Sequence, residues 1–271
     1  MSSDALNELR LQLDERNLAH VLSAVALAGL ISRNPDARPD ESTCCWRERN
    51  FMVRTAITHA ALFDMADRFL RSVRWIPGWG AAVPGTFAAG SEIGSNPFIS
   101  LAKGGQDKSP FKTFSGQQGP GDLLEAQKQS LVGATVGDGW LAQKGRGIAS
   151  WGFDCRVGSH AYDLGFSSND EDTGDRDPIY PAVEMLSIAG ASFLTAIQGW
   201  QLDEDSVGYS IWTDPIPVTL VRYAVASRVG GLPARRYRAR SRGGAYGKGA
   251  AYRFFPEATL QDQKGDRQWQ K

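Results

Sequence analysis

The chain has 271 residues, 42% hydrophobic and 22% charged, enough apolar material for one large or two modest domains, which excludes disorder of the whole chain. Its 30 basic and 30 acidic residues cancel, so composition alone announces no polyanion partner and any such site has to be local. Three cysteines, Cys44, Cys45 and Cys155, are too few for a disulfide framework and point to a reducing compartment, with the cytoplasm as default.

The elements read as follows in chain order. Glu8 to Leu13 alternates leucines with polar residues and predicts a half-buried strand. Asn17 is placed to cap a helix from Leu18 to Ser32 that is apolar nearly all round and therefore buried. Asn34-Pro35 ends it. Residues 36–42 read as a polar loop, and Cys44 to Arg54 as two short strands joined through Arg47-Glu48-Arg49-Asn50. Leu62, Phe63, Ala66, Phe69, Leu70 and Val73 keep helical spacing within Thr58 to Arg74. Ile76 to Gly121 is rich in Gly, Pro and Ser and reads as a long irregular stretch of the kind that tends to be functional. A short helix is expected from Asp122 to Val132, then strands and turns from Gly133 to Gly158. Ser167 to Pro178 is an acidic loop. Pro181 opens a further helix through Leu194, whose small-residue pattern is like that of the first helix; a duplicated unit and chance both account for this. Val218 to Val229 and Ala250 to Phe255 read as strands flanking a basic segment, and the chain from Gln261 on as a polar tail. The expectation is an α+β fold with mixed sheets, a few buried helices and long Gly-rich loops. It divides into residues 1–120, an α/β part with the irregular loop, and residues 121–271, an α+β part with an Arg/Gly-rich loop. No apolar run approaches 18 residues, so no membrane partner is expected, and MSSDALNELR lacks the pattern of a signal peptide.

Residue types that carry catalysis are scattered. His20, His59 and His160 have no metal-ligand spacing, and His20 lies inside an apolar helix. There is no CxxC, GxSxG, P-loop or HExxH. Asn169 to Asp177 invites a calcium reading, but with Gly174 in the sixth position of an EF-hand loop the terminal ligand is Tyr180 rather than a glutamate. Glu184 sits in an apolar helix and needs a partner. No catalytic residue, metal or cofactor is therefore expected.

Charge is distributed unevenly. Residues 154–214 hold twelve acidic and two basic residues, whereas residues 215–255 hold nine basic and no acidic ones. Within the latter, Arg235, Arg236, Arg238, Arg240, Arg242 and Lys248 are interleaved with Tyr237, Tyr246 and glycines. Guanidinium groups bind phosphate bidentately, tyrosines offer stacking faces, and glycines let backbone N–H groups approach phosphates. A solvated basic loop pairing with the acidic residues 170–177 is the alternative. Lys103, Lys108, Lys112, Thr113, Ser115, Gln117 and Gln118 form a second candidate in a Gly-rich frame, lysine for phosphate and glutamine or serine for base edges. An ordinary polar loop explains them equally well.

Three stretches, taken in order, resemble subunits of the variant type I CRISPR effector, subtype I-U or I-G. Asn17, Val21-Leu22-Ser23-Ala24, Ala28-Gly29-Leu30 and Cys45-Trp46 are similar to the family's N-terminal helix and strand. Lys112-Thr113-Phe114-Ser115-Gly116-Gln117-Gln118 is similar to its Lys-Thr-aromatic-small-Gly-Gln-Gln run. Phe153-Asp154, Asp163 to Ser167 and Pro181 to Leu186 are similar to its central block. Leu18 stands where the family usually has Pro, and Ser and Ala where it has cysteines. The resemblance implies a non-catalytic subunit of a crRNA-guided complex, with crRNA, target double-stranded DNA, the other effector subunits and the helicase–nuclease as partners. An RNA-processing or nuclease subunit using His160 or His59, and a scaffold binding only protein, are the other readings.

Overall fold

Leucines alternating with charge build the first strand: Leu9 and Leu11 enter the core while Glu8 and Arg10 face solvent. The computed structural model describes residues 5–78, 85–89, 92–93, 120–137, 139–146, 151–156, 178–195, 197, 206–246 and 250–261. The first half runs β1 (Asn7–Leu11), α1 (Leu18–Ile31), β2 (Thr43–Arg47), β3 (Asn50–Thr55), α2 (His59–Ser72), β4 (Val73–Ile76), β5 (Thr86–Ala89) and β6 (Glu92–Ile93). Then come α3 (Pro120–Leu131), β7 (Gly145–Arg146), β8 (Pro178–Ile179), α4 (Pro181–Thr195), β9 (Ser206–Trp212), β10 (Ile216–Pro217) and α5 (Val221–Val225). The chain closes with β11 (Ala234–Arg240), β12 (Arg242–Tyr246), β13 (Ala250–Phe254) and β14 (Thr259–Leu260). The fold is α+β, and every described strand pairing is antiparallel.

The main sheet has the order β1-β3-β2-β10. Its β2–β3 hairpin turns on Glu48 and Arg49, with φ of 48° and 60°, the paired left-handed conformation that matches a hairpin's twist. Neither residue is glycine. Each is tied to the loop before α1 or to β1: Glu48 to Arg10 at 3.3 Å, Arg49 to Asp14.

Asn17 caps α1 as expected, accepting from the Ala19 N–H at 3.1 Å. The helix packs along α4, and small residues set how close they come. A Cβ on Gly190 would lie 1.9 Å from the Leu22 carbonyl oxygen, and one on Gly29 3.0 Å from the Phe193 ring. Ser23 Oγ donates to Ala19 O at 2.8 Å and to Val183 O across the helix pair at 3.2 Å. The shared small-residue pattern thus has a packing use. One buried cluster draws on both parts of the chain, from Leu9 to Ala258, and includes Trp46, Trp140, Trp151 and Trp212. No described helix is long and apolar enough to cross a membrane.

The expected strand from Val218 to Val229 is a correction. Residues 218–220 form a 3-10 turn that leads into α5. Val218, Val221, Ala224 and Val225 are buried while Thr219, Arg222 and Tyr223 are exposed. That is helical spacing, and it turns one face of the segment onto β9 and α1. The acidic loop at 170–177 lies outside the described residues.

Candidate nucleic-acid interface

The segment expected as an Arg/Gly-rich loop begins as a regular strand. β11 pairs along its whole length with β9, from Ala234 opposite Trp212 to Arg240 opposite Ser206, and β14 adds two residues on its other edge. Pairing satisfies the backbone and imposes a two-residue side-chain period. Tyr237 and Ala239 are buried on one face. Arg236, Arg238 and Arg240 share the other, over Ser210, Gly208 and Ser206 of β9. Small residues beneath the arginines let their stems lie across the sheet. Arg238 reaches diagonally, Nε and Nη2 donating to Ser206 Oγ at 3.2 and 3.0 Å.

Two predicted site residues take other roles. Tyr237 stacks on its cross-strand neighbour Tyr209, ring centroids 5.6 Å apart and planes 12° from parallel. The Tyr209 hydroxyl donates to Glu15 O at 2.9 Å. With 4% of its surface exposed, Tyr237 is a core residue and offers no face to a base. Arg235 lies on the Tyr237 face and donates to Glu15 Oε1 at 3.2 Å, tying β11 to the loop before α1. Arg242 and Tyr246 lie on β12, which pairs with β13. Lys248 and the second group, Lys103, Lys108, Lys112, Thr113, Ser115, Gln117 and Gln118, lie outside the described residues.

A cleft of about 450 Å³ opens at the start of β11, between α5 and β14. Ser210, Ser227, Arg236, Leu232, Leu260 and Gln261 are among its lining residues. The Ser210 and Ser227 hydroxyls are 2.6 Å apart. Sequence reading missed β9 and this cleft, although SVGYSI alternates small with large residues and was open to a period-two reading.

The stretches behind the family resemblance meet in part. The Asn17 side chain donates to Asp154 Oδ1 at 2.8 Å, across 137 positions of sequence. Arg156 also holds Asp154, Nη2 to Oδ2 at 2.5 Å, with its guanidinium 3.5 Å from the Tyr180 ring centroid. Burial alone would raise the Asp154 carboxyl, but Arg156 and Asn17 outweigh it and hold it below its ordinary value. Glu184 is fully buried and accepts the Trp151 N–H at 2.7 Å, a partnered carboxylate as expected, with a backbone amide among its partners.

His20 is buried, and its Nδ1 accepts from the Asp14 N–H at 2.8 Å. Burial holds its pKa down at about 4, so it is neutral at pH 7. His59 lies half-buried beside Phe63, ring centroids 5.9 Å apart, and His160 is outside the described residues. Burial, with Asp154 beside it, pushes the Cys155 thiol up to about 12, which leaves it a poor nucleophile. Among the described residues no three His, Cys, Asp or Glu side chains come together as a metal site would require.

Compared with known proteins, the chain matches no family model and no curated protein.

Proposed function

We propose that the chain is a non-catalytic, nucleic-acid-binding subunit of a crRNA-guided CRISPR effector complex. It works beside the other effector subunits in the cytoplasm, where its three free thiols suit a reducing compartment. Its task is to contact crRNA and target double-stranded DNA, to help read the PAM and to recruit the helicase–nuclease. Sequence selection in such complexes is left to base pairing, so the protein has to recognise backbone shape and one short duplex motif.

The observation that carries the reading is the arginine row on β11. Arg236, Arg238 and Arg240 recur at two-residue intervals on one sheet face, a repeat of about 6.8 Å. That is about two base steps along one strand of a duplex. Guanidinium groups carried on a rigid strand bring positive charge to phosphates with little ordering cost.

The test is fluorescence anisotropy with plain duplex DNA across a salt series. Each phosphate that the protein no longer neutralises lowers the slope of log K against log salt by about 0.9. Replacing Arg236, Arg238 and Arg240 with alanine is expected to lower it by about two to three, with circular dichroism unchanged. Equal binding by wild type and the triple variant at every salt concentration removes the reading. Labelled DNA and RNA incubated with Mg²⁺ or Mn²⁺ are expected to be returned intact; cleavage abolished in His59→Ala or His160→Ala favours the nuclease alternative.

A further inference from the structure

We propose that the cleft at the start of β11 holds a single nucleotide unit. The phosphate lies toward Arg236 and Ser227, and the base lies against Leu232, Pro233 and Leu260. The inference deepens the nucleic-acid reading above and rests on it only for the source of the nucleotide.

Four observations converge. The cleft, about 450 Å³, falls in the lower half of the range of small-ligand sites and is of a size for one nucleotide, too small for a duplex. Its floor carries two hydroxyls in contact, Ser210 and Ser227, at 2.6 Å. In such a pair one oxygen donates to the other, and the second O–H remains to be donated onward. Ser227 takes φ of 59° just after α5, its N–H closing on Ala224 O at 2.9 Å. Glycine adopts that conformation without strain, yet a serine stands there, with its hydroxyl directed at Ser210.

The walls divide by chemistry. Arg236 shares the face of Ser210, its direct cross-strand neighbour. Its guanidinium brings positive charge and planar N–H donors to the side of the cleft where the phosphate is placed. Gln261 is held by its backbone N–H on Arg236 O at 2.8 Å; its Nε2 is directed at Thr259 O and Oγ1, both at 3.4 Å, and its amide oxygen is an acceptor for a base edge. Leu232, Pro233 and Leu260 line the same cleft. Leu260 is 56% exposed, a large apolar side chain at the cleft mouth that the protein itself does not cover. A hydroxyl–guanidinium floor, an amide and an aliphatic wall in one cleft fit a phosphate joined to a flat ring.

The nucleotide can be free or an unstacked residue of a strand, and two measurements separate these sources. Saturation-transfer NMR with AMP reports the free nucleotide. A single-stranded oligonucleotide carrying 2-aminopurine reports a residue drawn out of the stack, through a rise in its fluorescence. The blocking variant is Ala234→Trp, because half-buried Ala234 lines the cleft on the Arg236 face. Should circular dichroism show that it does not fold, Leu232→Trp replaces it. At least one signal is expected in the wild type and is expected to fall about tenfold or more in the blocked variant, because the indole occupies the space the nucleotide needs. A signal with AMP alone assigns a free nucleotide, and a signal with the oligonucleotide assigns a strand residue. Absence of both signals in the wild type, or both undiminished in the blocked variant, overturns the proposal. Anisotropy on the same oligonucleotide separates the two levels. Strand binding with a cleft-independent signal removes this inference alone, whereas AMP in the cleft without any strand binding removes the subunit reading alone.

Discussion

Acid should destabilise this protein through His20 as the pH falls below 6.5. The imidazole is 5% exposed, Nδ1 is occupied as acceptor of the Asp14 N–H, and Nε2 is buried without a hydrogen-bond partner. Protonating Nδ1 turns an acceptor into a donor facing a donor. Asp154 and Asp14 face the ring and favour its charged form, while Arg156 opposes it, but burial is the largest effect and the pKa falls from 6.5 to about 4. The unfolded chain then binds a proton below pH 6.5 that the folded chain refuses until about pH 4. Stability therefore falls as pH falls through that window, by about 3 kcal/mol in all, of which about 2 kcal/mol is lost by pH 5.0. Asp14 and Asp154 do not interfere. Burial pulls each upward, but Arg49 and Arg16 at Asp14, and Arg156 at Asp154, hold both below 3.8, so the stability they contribute is lost only at lower pH. Urea unfolding followed by fluorescence of the eight tryptophans at pH 7.5 and 5.0 measures the drop. His20→Asn keeps an acceptor near the Nδ1 position and removes the titration, so its drop should be smaller by about 2 kcal/mol. An equal drop in wild type and His20→Asn refutes the reasoning, as does a wild type equally stable at both pH values.

Two further substitutions test the packing. Gly190→Ala would set a Cβ 1.9 Å from the Leu22 carbonyl, backbone that cannot step aside, so α1 and α4 must separate; a loss of about 3 kcal/mol or more is expected in urea unfolding, and an unchanged midpoint would show that the helices do not meet there. Glu184→Ala leaves the buried Trp151 N–H without its 2.7 Å acceptor, which should cost about 2–3 kcal/mol at constant denaturant slope; unchanged stability would place the carboxylate in solvent.

Local chemistry determined much of this protein before its chain was folded. The α1 cap at Asn17, the burial of α1, the β2–β3 hairpin and the pairing need of Glu184 were readable because each depends on neighbours within a few positions, or on a side chain's own cost of burial. The 3-10 turn and helix at 218–225 were misread because the buried positions Val218, Val221, Ala224 and Val225 are β-branched or small, a composition that suits either state. Their helical burial comes only from β9 and α1 closing over one side. The arginine segment has the same explanation. RRYRAR alternates, but its density of charge suggested a solvated loop, and it is β9, well earlier in the chain, with two residues of β14 on the other edge, that supplies the hydrogen bonds holding it extended. That pairing buries Tyr237, turns Arg235 back to Glu15 and sends Arg236, Arg238 and Arg240 to one face. The Asn17–Asp154 bond and the Ser210–Ser227 floor of the cleft join residues 137 and 17 positions apart. No periodicity in a window of sequence encodes such contacts, because they are decided by which surfaces the whole core brings together.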